Sequence, residues 1–377
     1  MGQKAERIVV KLGTSTLTEG SQRLHAPRIL DLARQIDLIL RRGATVTLVS
    51  SGAVAAGRER LGEVEGSAGI PTKQMLAAIG QSRLMALYES IFGFYDRVVA
   101  QVLLTRTDFM RRQSYLNARN TFETLRQHGV IPIVNENDTV ATEEIRVGDN
   151  DNLSALVAGL VDADLLVLLT DQEGLFTGDP RLSRDAELIR EVKAHPIPPE
   201  LWEAAGGTRS GLGTGGMSTK LQAADLARQA GADVRIASGS APDVLIRLAD
   251  GEEIGTRFPR VESPLESRKR YILAGWSGRA TIAIDPGAAD ALGRHGSLLP
   301  VGVTRVEGAF QRGDTVQVLS PDGRELGRGL VNYTDDELGR IRGERSERIR
   351  ELLGYDYGDE VIHRDDFVLT GRRSEET

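Results

Sequence analysis

A chain of 377 residues is long enough for two domains, each with its own hydrophobic core. It contains no cysteine, which excludes disulfides, thiolate nucleophiles and cysteine-based zinc or iron–sulfur sites. The net charge of −7 disfavours non-specific nucleic-acid binding, and no apolar stretch has the length of a membrane span, so we expect a cytoplasmic protein that does not enter the membrane.

The first two thirds of the chain alternate short apolar runs with segments in which apolar residues recur at helical spacing. This alternation predicts a mostly parallel sheet covered by helices. The predicted strands are Ile8–Val10, Val46–Val49, Val98–Leu104, Val130–Val134, Leu165–Leu169 and Val234–Ala237. The predicted helices are Ala26–Arg41, Thr72–Tyr95, Tyr115–His128, Asn152–Val161 and Met217–Ala230.

The C-terminal third has a different pattern. Short apolar runs at Thr281–Ile284, Val301–Val306, Thr315–Leu319, Gly329–Val331 and Glu360–His363 are separated by turn sequences, which predicts a small β-barrel or sandwich with one or two helices. We predict a first domain at residues 1–258, a linker at 259–275, a second domain at 276–369 and a tail at 370–377.

Small, hydroxylic and acidic residues follow several of the predicted strands. The segments are Lys11–Ser15, Ser50–Ala53, Asn135–Thr139 and Thr170–Gly174. Because ligands of open α/β sheets bind at the carboxyl ends of the strands, we expect these segments to form one site. Taken singly, Lys11 has the alternative interpretation of a surface lysine, and Ser50 or Ser51 that of a helix N-cap.

The segment 211–220 is a glycine-rich run followed by a predicted helix that begins with hydroxyl side chains and Lys220. Glycine amides, an exposed helix start and an ammonium group together favour an anion, and a nucleotide polyphosphate is the expected ligand. The spacing is neither that of a P-loop nor, in its context, that of a dinucleotide-binding fingerprint. A surface loop without a ligand is the alternative.

Two acidic and amide-rich clusters lie at Asn135–Thr139 and 148–152. They could bind an amino group, orient lysines or hold a nucleotide-bound Mg²⁺, whereas Asp151 or Asn152 could also cap a helix. The five histidines are dispersed, with no metal-ligand spacing or nucleophile partner. Phosphoryl transfer remains the favoured chemistry, because it depends on positioning and on electrostatic stabilisation.

In this order the segments resemble the glutamate 5-kinases, enzymes of the amino acid kinase fold with a C-terminal PUA domain. The matching segments include VVKLGTS from Val9, VSSGAV from Val49, KQMLAAIGQ from Lys73 to Gln81, NEND from Asn135, GDNDNLS from Gly148, LTD from Leu169 and TGGMSTK from Thr214; RKRYI, SLLPVG and EVIHRD match in the C-terminal part. The resemblance implies a three-layer α/β sandwich with a mostly parallel sheet and a small β-barrel-like PUA domain.

The resemblance further implies ATP-dependent phosphorylation of the γ-carboxylate of L-glutamate, the first step of proline biosynthesis, with Mg²⁺ required. It gives Lys11, Lys220, Asp151 and the amides of Gly13 and Gly52 catalytic roles, with Asp151 orienting the lysines. The residues implied to hold glutamate are Ser51, Asp138 and Asn150. Those implied to bind ATP are Lys11, Thr170, Asp171, Thr214, Gly215, Gly216, Met217, Ser218, Thr219 and Lys220. Feedback inhibition by proline and a homo-oligomer, dimer or tetramer, are also implied.

Two alternatives remain at this stage. The first is a kinase of another small carboxylate, aspartate or N-acetylglutamate; the negative charge of Asp138 favours a substrate with a free amino group. The second is RNA binding through the PUA domain. It is less favoured, because residues 261–377 carry 17 Lys/Arg against 21 Asp/Glu, and because the arginines between 340 and 350 alternate with glutamates at salt-bridge spacing.

Overall fold

The computed structural model describes residues 5–62, 69–141, 150–183, 185–206, 216–261 and 276–370, with side chains from 280 onward in the last range. They fall into two compact units, one of residues 5–109 with 119–261 and the other of residues 110–118 with 276–370. The domain bounds given above stay a prediction. Most of the predicted linker and nearly all of the predicted tail lie outside the described residues.

The first unit alternates strands and helices along the chain. Its strands are Arg7–Leu12 (β1), Thr45–Ser50 (β2), Val99–Leu104 (β3), Ile131–Glu136 (β4), Leu165–Thr170 (β5), Asp233–Ser238 (β6) and Thr256–Phe258 (β7). Its helices are Thr14–Thr18 (α1), Ala26–Arg41 (α2), Ala53–Leu61 (α3), Ile70–Gly93 (α4), Arg106–Met110 (α5), Arg112–Gln127 (α6, whose first residues belong to the other unit), Asn150–Leu160 (α7), Pro199–Ala204 (α8), Met217–Gln229 (α9) and Val244–Ala249 (α10).

The seven strands form one sheet in the order β3-β4-β2-β1-β5-β6-β7, and only the short edge strand β7 runs antiparallel to its neighbour. Strand β1 is central, with Lys11 in register with Val49 of β2 and Leu168 of β5. The chain leaves β1 toward β2 and later returns to the other side of β1 as β5. This change of direction opens a crevice at the carboxyl end of β1, as expected for an open α/β sheet.

Alternation along β1 directs its side chains to two different layers. Ile8, Val10 and Leu12 belong to the core that also includes apolar residues of α2, α4 and α10. Val9 and Lys11 therefore face the opposite layer, where α7 and α9 lie. Helices on both faces make the three-layer sandwich that the resemblance implies.

Helices α3 and α4 are packed through glycine. A Cβ at Gly80 would lie 1.8 Å from the carbonyl oxygen of Ala53, and one at Gly57 would lie 2.1 Å from that of Leu76. Any larger residue at either position would push the two helices apart. This contact fixes the position of the N-terminus of α3 relative to α4.

The second unit contains a five-stranded sheet in the order β12-β11-β10-β8-β9. Its strands are Trp276–Ile284 (β8), Val303–Glu307 (β9), Thr315–Leu319 (β10), Glu325–Leu330 (β11) and Phe367–Leu369 (β12), and its helices are Pro286–Gly293 (α11), Asp335–Ile341 (α12) and Ile349–Leu353 (α13). The expectation of a strand at Glu360–His363 is wrong. Val361 and Ile362 are buried in the core, but Ile362 makes only an isolated bridge with Leu298.

Two of the arginines considered for RNA binding, Arg340 and Arg348, have protein partners. Arg348 pairs with Glu344 and with Glu351, and Arg340 donates to the carbonyl oxygen of Leu352. This arrangement matches the salt-bridged surface predicted as the alternative to an RNA site. Among the described helices, no segment combines the length and apolar character needed to cross a bilayer.

Candidate active site

Lys11 lies at the carboxyl end of β1 and is buried, with 5% of its surface exposed. Its Nζ is 2.5 Å from Oδ1 of Asp151, near the start of α7. The alternative of a surface lysine is therefore wrong. Burial of an ammonium group in this layer requires a counter-charge, and the carboxylate of Asp151 supplies it.

Lys220 reaches the same carboxylate from α9. Its Nζ is 3.2 Å from Oδ2 of Asp151, and the hydroxyl of Thr219 donates to that oxygen at 2.9 Å. Asp151 is fully buried and thus bridges two ammonium groups that are far apart in the sequence. We call Lys11, Asp151 and Lys220 the lysine–aspartate triad.

The charge state of Asp151 follows from this environment. Burial opposes ionisation of the carboxyl group, but the two ammonium groups and the hydrogen bonds from Lys11 and Thr219 outweigh it and hold the pKa of Asp151 below its ordinary value. The carboxylate is therefore ionised at neutral pH, and the triad carries a net charge of about +1.

Gly13 and Gly52 are the two glycines whose amides were predicted to face the transferring group. A Cβ at Gly13 would lie 3.4 Å from Nζ of Lys11, so a side chain there would crowd the ammonium group. Gly52 is the N-cap of α3 and has a φ of 102°, a conformation that favours glycine. No side chain caps the first amides of α3. The interpretation of Ser50 or Ser51 as the cap is wrong, because Gly52 is the N-cap and no side chain bonds the first amides of α3; Ser50 instead bonds the hydroxyl of Tyr88 at 2.7 Å.

A cavity of about 290 Å³ lies beside the triad. Its position follows from two of its lining residues. Asn150 directly precedes Asp151, and Thr14 directly follows Gly13, which lies beside the ammonium group of Lys11. Its lining residues come from α1, α3 and the segments at β4 and α7: Thr14, Ser51, Gly52, Ala53, Val54, Ala55, Arg58, Asn135, Glu136, Asp138 and Asn150. The three residues predicted to hold glutamate, Ser51, Asp138 and Asn150, all lie in this lining.

The cavity lining carries charges of both signs. Asp138 has no hydrogen-bonding or ion-pair partner among the described residues, and burial raises its pKa above the ordinary value. Glu136 is buried nearby, with 8% of its surface exposed. Arg58 on α3 supplies a guanidinium group to the same lining. The cavity therefore suits a small molecule with both an ammonium and a carboxylate group.

The residues predicted to bind the nucleotide are only partly brought together. Thr170 ends β5 and donates to Asp171 at 3.0 Å, whereas Gly216 caps α9 and is followed by Met217, Ser218 and Thr219 in its first turn. Thr214 and Gly215 lie outside the described residues. Ser218 and Thr219 are buried, and Met217 is half-buried.

Sequence reasoning missed several residues of this site. Arg58 carried no motif, although its spacing from Val54 and Ala55 places all three on one face of a helix once the start of α3 is known. Asn135 and Glu136 lay in a recognised acidic segment without an assigned role. Gln81, at the end of the matching segment from Lys73, accepts a hydrogen bond from Asn135 at 2.8 Å.

Comparison with known proteins agrees with this architecture. The amino acid kinase family model matches residues 6–238, and the PUA domain model matches residues 280–353. A search of solved structures matches UMP kinase from Bacillus anthracis with a TM-score of 0.47, 16% identity and coverage of 69% of this chain and 98% of that one.

Curated relatives show which branch of the amino acid kinase family the chain is similar to. The glutamate 5-kinase of Shewanella amazonensis is 53% identical over 97% of this chain and 97% of its own length, and that of Herpetosiphon aurantiacus is 54% identical over 96% and 98%. The chain belongs to the amino acid kinase family and, within it, to the glutamate 5-kinases.

Proposed function

We propose that this chain transfers the γ-phosphoryl group of ATP to the γ-carboxylate of L-glutamate, giving L-glutamyl 5-phosphate for proline biosynthesis. The observation that carries the proposal is the lysine–aspartate triad beside a cavity with ammonium-binding and carboxylate-binding groups. The names of the relatives support the same substrate.

The main barrier to this reaction is the repulsion between two anions, the acceptor carboxylate and the phosphates of ATP. Lys11 and Lys220 would stabilise the charge on the transferring phosphoryl group, while Asp151 fixes the direction of both ammonium groups. Because these charges are buried and oriented before the substrates arrive, they need little reorganisation in the transition state. Amides at Gly13 and Gly52 would donate to the same group.

The acceptor needs no general base. A carboxylate is already ionised at neutral pH and can attack phosphorus directly. In the cavity the γ-carboxylate would point to the triad, the α-amino group to Asp138 and Asn150, and the α-carboxylate to Arg58. The side chains and helix amides thus serve to position the two substrates in line.

Mg²⁺ would enter with ATP. Within the described ranges, no group of three or more histidine and acidic side chains is placed to hold a metal ion. This fits a cation bound mainly by phosphate oxygens and water, with at most one or two carboxylates from the protein. Mg²⁺ supplies charge neutralisation of the phosphates when it is bound.

The proposal is tested by trapping the acyl phosphate with hydroxylamine in the presence of MgATP. We expect a hydroxamate with L-glutamate. Lys220→Ala should lower kcat by at least about 100-fold, because a donor to the transferring group is lost. Lys193→Ala is the matched control, since that lysine is exposed and pairs with Glu191. No hydroxamate with glutamate, or near-normal turnover by Lys220→Ala, would refute the proposal.

The same assay separates glutamate from the rival acceptors. N-Acetylglutamate lacks the ammonium group that the unpartnered carboxylate of Asp138 would bind, and aspartate is one methylene shorter. We therefore expect a strong preference for glutamate. A preference for either rival would reassign the substrate while leaving the reaction class unchanged.

Three further properties are proposed on the resemblance to the family. They are feedback inhibition by proline, assembly into a homo-oligomer and a cytoplasmic location. The absence of a membrane-spanning helix from the described part of the chain is compatible with the last of these.

A further inference from the structure

Four amide and hydroxyl side chains, three of them in the cavity lining, form one hydrogen-bonded network. Nδ2 of Asn150 lies 3.1 Å from the carbonyl oxygen of Ser50, 3.0 Å from Oγ of Ser51 and 3.0 Å from Oδ1 of Asn135, so its two N–H groups are shared among three acceptors. Asn135 donates in turn through Nδ2 to Oε1 of Gln81 at 2.8 Å. The network connects helix α4 with the wall of the cavity.

The backbone fixes the direction of every bond in this network. The carbonyl group of Ser50 can only accept, so Asn150 must turn its amide nitrogen toward it. The backbone N–H of Glu136 can only donate, and it donates to Asn135 at 2.9 Å, so that atom of Asn135 must be the oxygen. The nitrogen of Asn135 is then left for Gln81, which must present its oxygen.

The network leaves one acceptor atom at the cavity without a donor. The carbonyl oxygen of the Asn150 side chain is buried and has no donor among the described residues, although its side chain lines the cavity. A buried acceptor without a donor is costly, and an ammonium group of a bound ligand would satisfy it. Together with Asp138, this oxygen gives one end of the cavity two acceptors.

We propose that Gln81 is a positioning residue that anchors this network through Asn135 and thereby supports the selection of an amino group at the cavity. Gln81 is absent from the cavity lining, so it acts through Asn135 and Asn150. Without its oxygen, the buried amide of Asn135 loses its acceptor, and the hydrogen bond between Asn135 and Asn150 at the cavity is weakened. This inference rests on the proposed glutamate kinase function and names a determinant of its specificity.

The test compares L-glutamate with glutarate, which has the same two carboxylates but no amino group. In Gln81→Met, a change of similar volume that removes the acceptor, the ratio of kcat/KM for glutamate over glutarate should fall by roughly tenfold. Most of the change should be in KM for glutamate. Gln81→Glu retains an acceptor for Asn135 and should keep the wild-type ratio.

Ser82→Ala is the matched control, because that neighbouring hydroxyl bonds only within α4, to the carbonyl group of Ile79 at 3.1 Å. Should Gln81→Met fail to fold, Gln81→Ala provides the same comparison. An unchanged ratio in the folded variant, or an equal loss in Gln81→Glu, would overturn the proposal. Calorimetric titration with both acids keeps the test separate from turnover, so a chain that binds glutamate without phosphorylating it would refute the proposed function alone.

Discussion

Replacing Asp151 by asparagine tests the central ion pairs of the site. The substitution keeps the shape of the side chain but leaves two buried ammonium groups without a counter-charge. From the 2.5 and 3.2 Å separations, the gross attractions are about 7 and about 5 kcal/mol at an effective dielectric constant of about 20. Because desolvation of the charges opposes these terms, the expected net loss in the free energy of unfolding is about 3–5 kcal/mol.

The affinity for ATP and the stability of the fold should respond differently to Asp151→Asn. Asp151 competes with phosphate for the two lysines, so its removal should leave the affinity for ATP unchanged or higher, while kcat falls by about 100-fold because the ammonium groups are no longer held in place. Saturating MgATP should therefore recover much of the lost stability.

The measurements are urea unfolding with and without MgATP, calorimetric binding of ATP and the hydroxylamine assay. Asp250→Asn is the matched control, because Asp250 pairs with Arg42 at the surface and its loss should cost less than about 1 kcal/mol. A wild-type unfolding midpoint for Asp151→Asn, or a large loss of ATP affinity, would refute this account of the triad.

The pH dependence of stability has a definite sign. The pKa of Asp151 is lower in the folded protein than its ordinary value, so the folded state binds this proton more weakly than the unfolded state. Its contribution is complete above the ordinary pKa of a carboxyl group and disappears as pH falls through the folded pKa. The stabilities of wild type and Asp151→Asn should therefore converge in acid.

Three other predictions concern the cavity and its support. Because burial raises the pKa of Asp138, kcat/KM for glutamate should fall on the acid side through a pKa above the ordinary aspartate value, and in Asp138→Asn this limb should move down to the pKa of the substrate's own carboxyl group. Arg58→Ala should raise KM for glutamate but not for 4-aminobutyrate, which lacks the α-carboxylate. Arg60→Ala, on the same helix but outside the cavity lining, should leave KM for both compounds unchanged. In Gly80→Ala the new Cβ would lie 1.8 Å from a carbonyl oxygen of the facing helix, so the substitution should destabilise the fold by about 1–3 kcal/mol and lower activity. Gly93 has open space around it, so Gly93→Ala should change neither stability in a thermal melt nor activity.

The strand-end rule predicted much of the site from sequence. Lys11, Ser51 and Thr170 lie at or just beyond the carboxyl ends of β1, β2 and β5, as expected from apolar runs that end in small or polar residues. Helix Ala26–Arg41 was predicted with its observed bounds, because its apolar spacing is regular and a proline lies near its start.

Sequence could not give the contacts that depend on packing between layers. Asp151 is 140 residues from Lys11 in the chain, and their contact requires both the central position of β1 and the placement of α7 on the same face as Lys11. Local patterns also failed at Val361 and Ile362, whose apolar side chains are buried by packing without forming a strand. Apolar runs report burial, and burial alone does not specify β pairing.

The distribution of charge also accounts for which carboxylate of glutamate would react. The triad is positive, whereas Asp138 and the free oxygen of Asn150 are acceptors for a cation. An ammonium group placed at the triad would meet two like charges in a buried setting, so it must lie at the acceptor end. The α-carboxylate is attached to the same carbon as that ammonium group and must stay near it, beside Arg58. Under the proposed function, only the distal carboxylate would then reach the lysines, and the charges would select γ-phosphorylation before any bond changes.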